Sequence, residues 1–196
     1  TVLLTAMLVN NEIGSIQPIA KMAKILKKKN PRAVFHVDAV QGYGKVLCDV
    51  RELGVDLLSI SGHKIHGPKG IGVLYIKKGT KIAPILYGGG QQDNLRSGTE
   101  NVPGIAGLGL AAEICHKNMK ESVPEMERLR RRLEQGIIAN IPNVRINTPK
   151  GCAPHILNVS FGGVRSEVVL HSLENEGIYV SSGSACSSHK KEPSYV

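Results

Sequence analysis

The run Val55-Asp56-Leu57-Leu58-Ser59-Ile60-Ser61-Gly62-His63-Lys64 constrains this chain more than any other stretch. It begins as a short apolar segment of strand type and then breaks into Ser-Gly-His-Lys. Glycine and proline punctuate Ile65-His66-Gly67-Pro68-Lys69-Gly70-Ile71-Gly72, and a second apolar run follows at Val73-Leu74-Tyr75-Ile76. A lysine where a buried strand ends is unusual, because lysine is rarely enclosed without a task or a partner. In such a place it is a candidate amine nucleophile toward an aldehyde. Ser61 and His63 can hold an anionic group, and the glycines let backbone N–H groups approach one. The same letters also describe a surface turn with a solvated lysine.

A second stretch decides between these readings. In Val34-Phe35-His36-Val37-Asp38-Ala39-Val40-Gln41 an apolar strand ends in Asp38, and Gln41 lies three residues further on. Pyridoxal phosphate needs a carboxylate at its pyridine nitrogen, a donor at its phenolic oxygen, a lysine for its aldehyde and a phosphate cradle. Asp38, Gln41, Lys64 and the Ser61/His63 pair match those four needs. Three further motifs stand in order with these: Asn10-Asn11-Glu12-Ile13-Gly14, Arg96-Ser97-Gly98-Thr99 and Ser181-Ser182-Gly183-Ser184-Ala185-Cys186. With them the chain resembles, from end to end, the cysteine desulfurases of the class V aminotransferase-like family of pyridoxal-phosphate enzymes.

The resemblance implies an α/β fold of fold-type I. Residues 1–117 would form part of the large, mainly parallel-sheet domain and its linking helix. Residues 118–196 would form a small C-terminal α+β domain carrying the cysteine loop. It also implies the cofactor pyridoxal 5'-phosphate, with Asn11 touching a cofactor oxygen, Asp38 facing the pyridinium and Gln41 donating to the phenolic oxygen. Ser61, His63 and Thr99 would hold the phosphate, with Thr99 reaching the cofactor of the opposite subunit of a homodimer. Lys64 would supply the amine for the aldehyde. Cys186 would take sulfur from L-cysteine as a persulfide, leaving L-alanine, and pass it to an acceptor or iron–sulfur scaffold protein. Either iron–sulfur cluster assembly or tRNA thiolation would use that sulfur. By the same resemblance about a third of the family's length precedes Thr1, including a Gly-Ala-Thr phosphate turn and a ring-stacking histidine. An arginine for the substrate carboxylate lies beyond Val196, so the fragment alone is expected to be incomplete.

Composition narrows the alternatives. The 196 residues are long enough to bury a core, and 41% are hydrophobic. No apolar run approaches the ~20 residues of a membrane span. The formal charge of +9 comes from 25 basic and 16 acidic residues, yet the basic residues fall in short runs, Lys27-Lys28-Lys29 and Arg130-Arg131-Arg132. With only seven Phe and Tyr and no Trp there is no stacking platform for single strands, so these runs read as solvated helix faces and no direct nucleic-acid partner is expected. Cys48, Cys115, Cys152 and Cys186 are widely separated, which indicates neither a metal site nor a disulfide framework and suits a reducing cytoplasm. The first three read as structural. Cys186 sits among Ser, Gly, His and Lys, which favours an exposed, thiolate-prone cysteine on a mobile loop.

Along the chain, Val2 to Val9 reads as a buried strand, and Pro18 to Lys29 as an amphipathic helix stopped by Asn30-Pro31. Ala33 to Val37 completes a β-α-β unit. Leu57 to Ile60 and Gly72 to Ile76 are further strands, the latter antiparallel because its connection is too short for a helical crossover. Gly88 to Thr99 is a polar glycine-rich loop. Two helices are expected, from Asn101 to about Lys117 and around Met126 to Ile137. Strands follow at Val144 to Asn147, Ile156 to Phe161 and Ile178 to Val180, with a helix around Val168 to Leu173. His36 is expected to pack within its strand. Competing readings are a related pyridoxal-phosphate lyase acting on selenocysteine, an aminotransferase, and a cofactor-free scaffold of the same fold.

Overall fold

The computed structural model describes residues 1–183 and 196. The chain divides into two compact units, one of Thr1–Leu8 with Gln17–Met119, the other of Val9–Ile16 with Lys120–Val196.

The first unit is built on a four-stranded sheet in the order β1 (Leu3–Met7), β2 (Val34–Asp38), β3 (Leu57–Ser61), β4 (Gly72–Ile76). β1, β2 and β3 are parallel, and β4 runs antiparallel to β3. That is the arrangement a short β3–β4 connection demands. Strand β2 alternates: Phe35 and Val37 are fully buried while Val34, His36 and Asp38 are half-buried. One face of the central strand is therefore apolar core, and the other carries its polar residues. Helix α1 (Ile19–Lys29) buries Ile19 and Ala23 and starts directly after Pro18. A short helix α2 (Val50–Leu53), not expected from the sequence, is nucleated by Asp49, whose Oδ1 accepts the Arg51 N–H at 2.7 Å.

A single carboxylate ties helix α1 to the starts of the two central strands. Asp56 is 6% exposed; its Oδ2 accepts the Phe35 N–H at 2.8 Å and a hydrogen bond from Lys27 Nζ at 2.6 Å. Lys27 Nζ also donates to the Ala33 carbonyl at 2.7 Å, so α1, the start of β2 and the start of β3 meet in one knot. The Lys27-Lys28-Lys29 run is thus only in part a solvated face: Lys28 and Lys29 are exposed, but Lys27 is half-buried and paired.

In the second unit, β5 (Val144–Ile146) pairs antiparallel with β6 (Val159–Phe161), and α4 (Ser166–Asn175) follows. Segment Val9–Ile16 belongs here because its backbone is bonded here. The Gly14 carbonyl accepts the Ala153 N–H at 2.8 Å, and Asn158 Nδ2 donates to the Glu12 carbonyl at 3.2 Å. Accordingly β1 stops at Met7 rather than running to Val9. Residues 178–180 form no strand: no neighbouring strand among the described residues offers a ladder, and Tyr179 is 81% exposed.

The two expected helices are one, α3 (Val102–Asn140), 39 residues and ~58 Å long. Helical spacing on both sides of the polar middle lets it continue through Pro124. Proline lacks the N–H that would reach the carbonyl four residues back, at Lys120, where the second unit resumes. The arginine run beyond it is a helix face: Arg128 grips Glu125 with two bonds of 2.7 Å, and Arg130 pairs with Glu134 at 2.9 Å. Among the described residues, no helix is long and apolar enough to cross a membrane.

Candidate functional site

The site lies where β2 and β3 end. The strands are parallel neighbours, with Asp38, the last residue of β2, opposite Ser59 of β3. Their carboxyl ends are therefore side by side, the edge at which open α/β sheets present ligand groups. Side chains two apart share a face, so Asp38, Ser59 and Ser61 point to the same side. Asp38 Oδ1 accepts the Val40 N–H at 2.9 Å. This bond and the Ala39 N–H to Ser59 carbonyl bond at 2.9 Å turn the chain into the segment that carries Gln41. The second carboxylate oxygen of Asp38 and the half-buried Gln41 amide have no hydrogen-bond partner among the described residues.

Strand β3 runs into a 3₁₀ turn, Gly62–Ile65. Ser61 Oγ and His63 Nδ1 share a hydrogen bond of 2.8 Å, which sets the two expected phosphate ligands together. Gly62 is buried and must be glycine, because a Cβ would stand 2.9 Å from Ile71 Cγ2 and 3.0 Å from the Pro68 carbonyl oxygen. Lys64 is half-buried, and its carbonyl accepts a hydrogen bond from Lys45 Nζ at 2.9 Å.

Other expected residues fall elsewhere. Thr99 is exposed in the Gly88–Thr99 loop, where Gly98 N–H donates to Gln91 Oε1 at 3.1 Å, and no hydrogen bond joins it to the Ser61–Lys64 turn. Asn11 is half-buried in the second unit, beside Asn10, whose Oδ1 accepts the Glu12 and Ile13 N–H groups at 2.9 Å each. Cys186 lies outside the described residues.

The sequence reading missed two features. His36 does more than pack: its Nδ1 shares a hydrogen bond of 2.8 Å with Thr5 Oγ1, and its Nε2 one of 2.8 Å with Ser59 Oγ. Thr5, His36 and Ser59 thus form a polar row across three strands, on the face that carries Asp38. Lys45 is the second. Only the alternation His36-Val37-Asp38 hinted at the first, and nothing local marked the second.

Cys48, Cys115 and Cys152 are free thiols of intermediate exposure. Burial, reinforced by the Asp49 carboxylate, pushes the Cys48 thiol from 9.0 up to about 11. The thiolate is then the disfavoured form in the folded chain, so this group leaves stability intact below pH 9 and weakens it as pH rises toward 11. Two pH units correspond to roughly a hundredfold less thiolate at pH 8. Cys48 is therefore expected to be alkylated by iodoacetamide far more slowly in the native protein than in urea. Equal rates by peptide mass spectrometry would contradict this placement.

Comparison with known proteins places the family and the fold. The family model described as Aminotransferase class-V matches residues 1–195. A cysteine desulfurase IscS of Clostridium botulinum is 47% identical over 199 residues, covering 100% of this chain and 50% of that protein. One from Methanosarcina thermophila is 47% identical over 197 residues, covering 100% and 48%. Among solved structures, a NifS-like protein superposes with a TM-score of 0.89 at 45% identity, covering 93% of this chain and 50% of that one. A NifS-like protein from Rickettsia africae gives 0.88 at 37% identity, with the same coverage. The chain thus spans about half the length of the curated relatives it matches. Its fold is the α/β fold-type I of these neighbours, and with a family match that runs along nearly its whole length, the chain belongs to the class-V aminotransferases.

Proposed function

We propose that the full-length protein is a pyridoxal-phosphate-dependent cysteine desulfurase that converts L-cysteine to L-alanine and leaves the sulfur on Cys186. The observation that carries this is the placement of Asp38 and the Lys64 turn at the adjoining ends of two parallel strands. The residues fit the cofactor. At one strand end stand a carboxylate oxygen and an amide with no hydrogen-bond partner among the described residues, and at the other a turn that admits only glycine at position 62 bears a serine–histidine pair.

Bound there, pyridoxal phosphate supplies an electron sink that weakens bonds at the amino-acid carbons. Asp38 would keep a proton on the pyridine nitrogen, and Gln41 would donate to the phenolic oxygen. Ser61 and His63, with Thr99 of a second subunit in a homodimer, would hold the phosphate, and Lys64 would supply the amine. At Cys186 an S–S bond forms as the substrate Cβ–S bond breaks, and the thiol proton and the carbon skeleton leave together in L-alanine. For Asn11, Thr99 and Cys186 the proposal rests on sequence resemblance alone. So does the assignment of residues 1–117 to the large domain and 118–196 to the small one. Three free thiols suit a reducing cytoplasm, and a sulfur acceptor or iron–sulfur scaffold protein is the proposed partner.

Incubation of the full-length protein with pyridoxal phosphate and L-cysteine is expected to yield alanine, with one sulfur atom retained on Cys186 before an acceptor thiol is added. Cys186→Ser should keep the visible absorption of the bound cofactor yet release no alanine. A keto acid as product would replace this reading with an aminotransferase. Normal turnover by Cys186→Ser would replace it with a lyase that expels its leaving group directly.

A further inference from the structure

One carbonyl in the site has an unusual partner. The Lys64 carbonyl sits near the end of the 3₁₀ turn, where helix-type bonding would take an N–H from the residue three or four further on. The fourth, Pro68, has none. The Gly67 N–H goes instead to the Gly62 carbonyl at 2.9 Å. The orphaned Lys64 carbonyl is met by the Lys45 ammonium at 2.9 Å, from the turn that follows β2.

The approach of Lys45 is itself constrained. Its N–H donates to the Gly42 carbonyl at 3.0 Å. Gly44 has φ of 73° and is pressed against α3, so a Cβ there would overlap the Cys115 sulfur. The Cys115 thiol in turn lies 3.7 Å from the Gly44 carbonyl oxygen it faces. Burial lowers the pKa of Lys45, the Cys115 thiol opposes that and the Lys64 charge adds to it. A long, flexible ammonium normally reaches for water. Here it is half-buried and directed onto a neutral main-chain oxygen.

We infer that Lys45 is a positioning residue for Lys64, holding its carbonyl and so the direction in which the Lys64 side chain leaves the turn. The eight residues Asp38 to Lys45 then carry two of the expected cofactor groups together with the clamp on a third. This rests on the reading of Lys64 as the cofactor's lysine. Lys45 touches the Lys64 backbone and not its amine, so it acts only through Lys64.

The test uses full-length apoprotein, with Lys45→Met removing the ammonium and Lys45→Arg restoring a donor. Amide exchange across Gly62–Gly67 is expected to rise about tenfold in Lys45→Met and to stay unchanged in β1, the size of one lost charge-assisted hydrogen bond. After pyridoxal phosphate is added, borohydride trapping at Lys64, read by mass spectrometry, should slow by about the same factor, and Lys45→Arg should recover most of it. Unchanged exchange overturns the clamp. Faster exchange with unchanged trapping overturns the positioning role. If Lys45→Met does not fold, Lys45→Gln, too short for the carbonyl, takes its place under the same criteria. A wild-type protein that traps nothing at Lys64 would sink the cofactor reading, and exchange alone would still decide the clamp.

Discussion

Replacing Lys64 with alanine in the full-length protein is expected to abolish the visible absorption of bound pyridoxal phosphate and to cut L-cysteine turnover by on the order of 10⁴-fold or more. A methyl group offers no amine to an aldehyde, and no other lysine follows β3 within the turn: the nearest in sequence, Lys69, is exposed beyond Pro68. Stability should hardly change. The Lys64 side chain is half-exposed, and the Lys45 bond goes to its carbonyl, which alanine keeps. Surface substitutions of this kind stay within about 0.5 kcal/mol. A thermal midpoint near wild type together with a colourless, inactive protein is the expected pair of results. A retained absorption band would show that another amine serves the cofactor.

The second large effect is on folding. Asp56→Ala should destabilise the full-length protein by about 3–5 kcal/mol, because it strands the Lys27 ammonium and the buried Phe35 N–H at once. By contrast Lys77, 54% exposed and 3.9 Å from Asp56, should contribute less than about 1 kcal/mol when replaced by alanine. Urea unfolding of both variants separates a buried knot from a surface charge. If Asp56→Ala lost less than about 1 kcal/mol, the knot would be an ornament of the fold and the hydrophobic contacts of Phe35 and Val37 would suffice alone.

These two predictions differ in how they became visible. The role proposed for Lys64 is suggested by Ser61-Gly62-His63-Lys64 read beside Asp38 and Gln41, because the strand ends are local events: an apolar run stops and a polar or glycine residue takes over. The knot at Asp56 joins residues 29 apart in sequence, and nothing near Lys27 distinguishes it from Lys28 or Lys29. Only the packing of α1 beside the adjoining starts of β2 and β3 brings them together.

By itself, then, the sequence determined the strands and helices with strong periodicity, the antiparallel turn-back of β4 and the identity of the residues gathered at the two strand ends. All of these depend on neighbours within a few positions. The tertiary structure decided the rest. The segment Val9–Ile16 joins the second unit because its carbonyls are taken by Ala153 and Asn158, more than a hundred residues away in the chain. Helical spacing on both sides of Pro124 fuses two expected helices into one. Residues 178–180 find no ladder among the described residues and so form no strand, whatever their apolar character. The polar row Thr5–His36–Ser59 and the bond from Lys45 to Lys64 span 31, 23 and 19 residues. Hydrogen bonds of that kind leave no periodic trace in a sequence, because each depends on where two distant backbones lie.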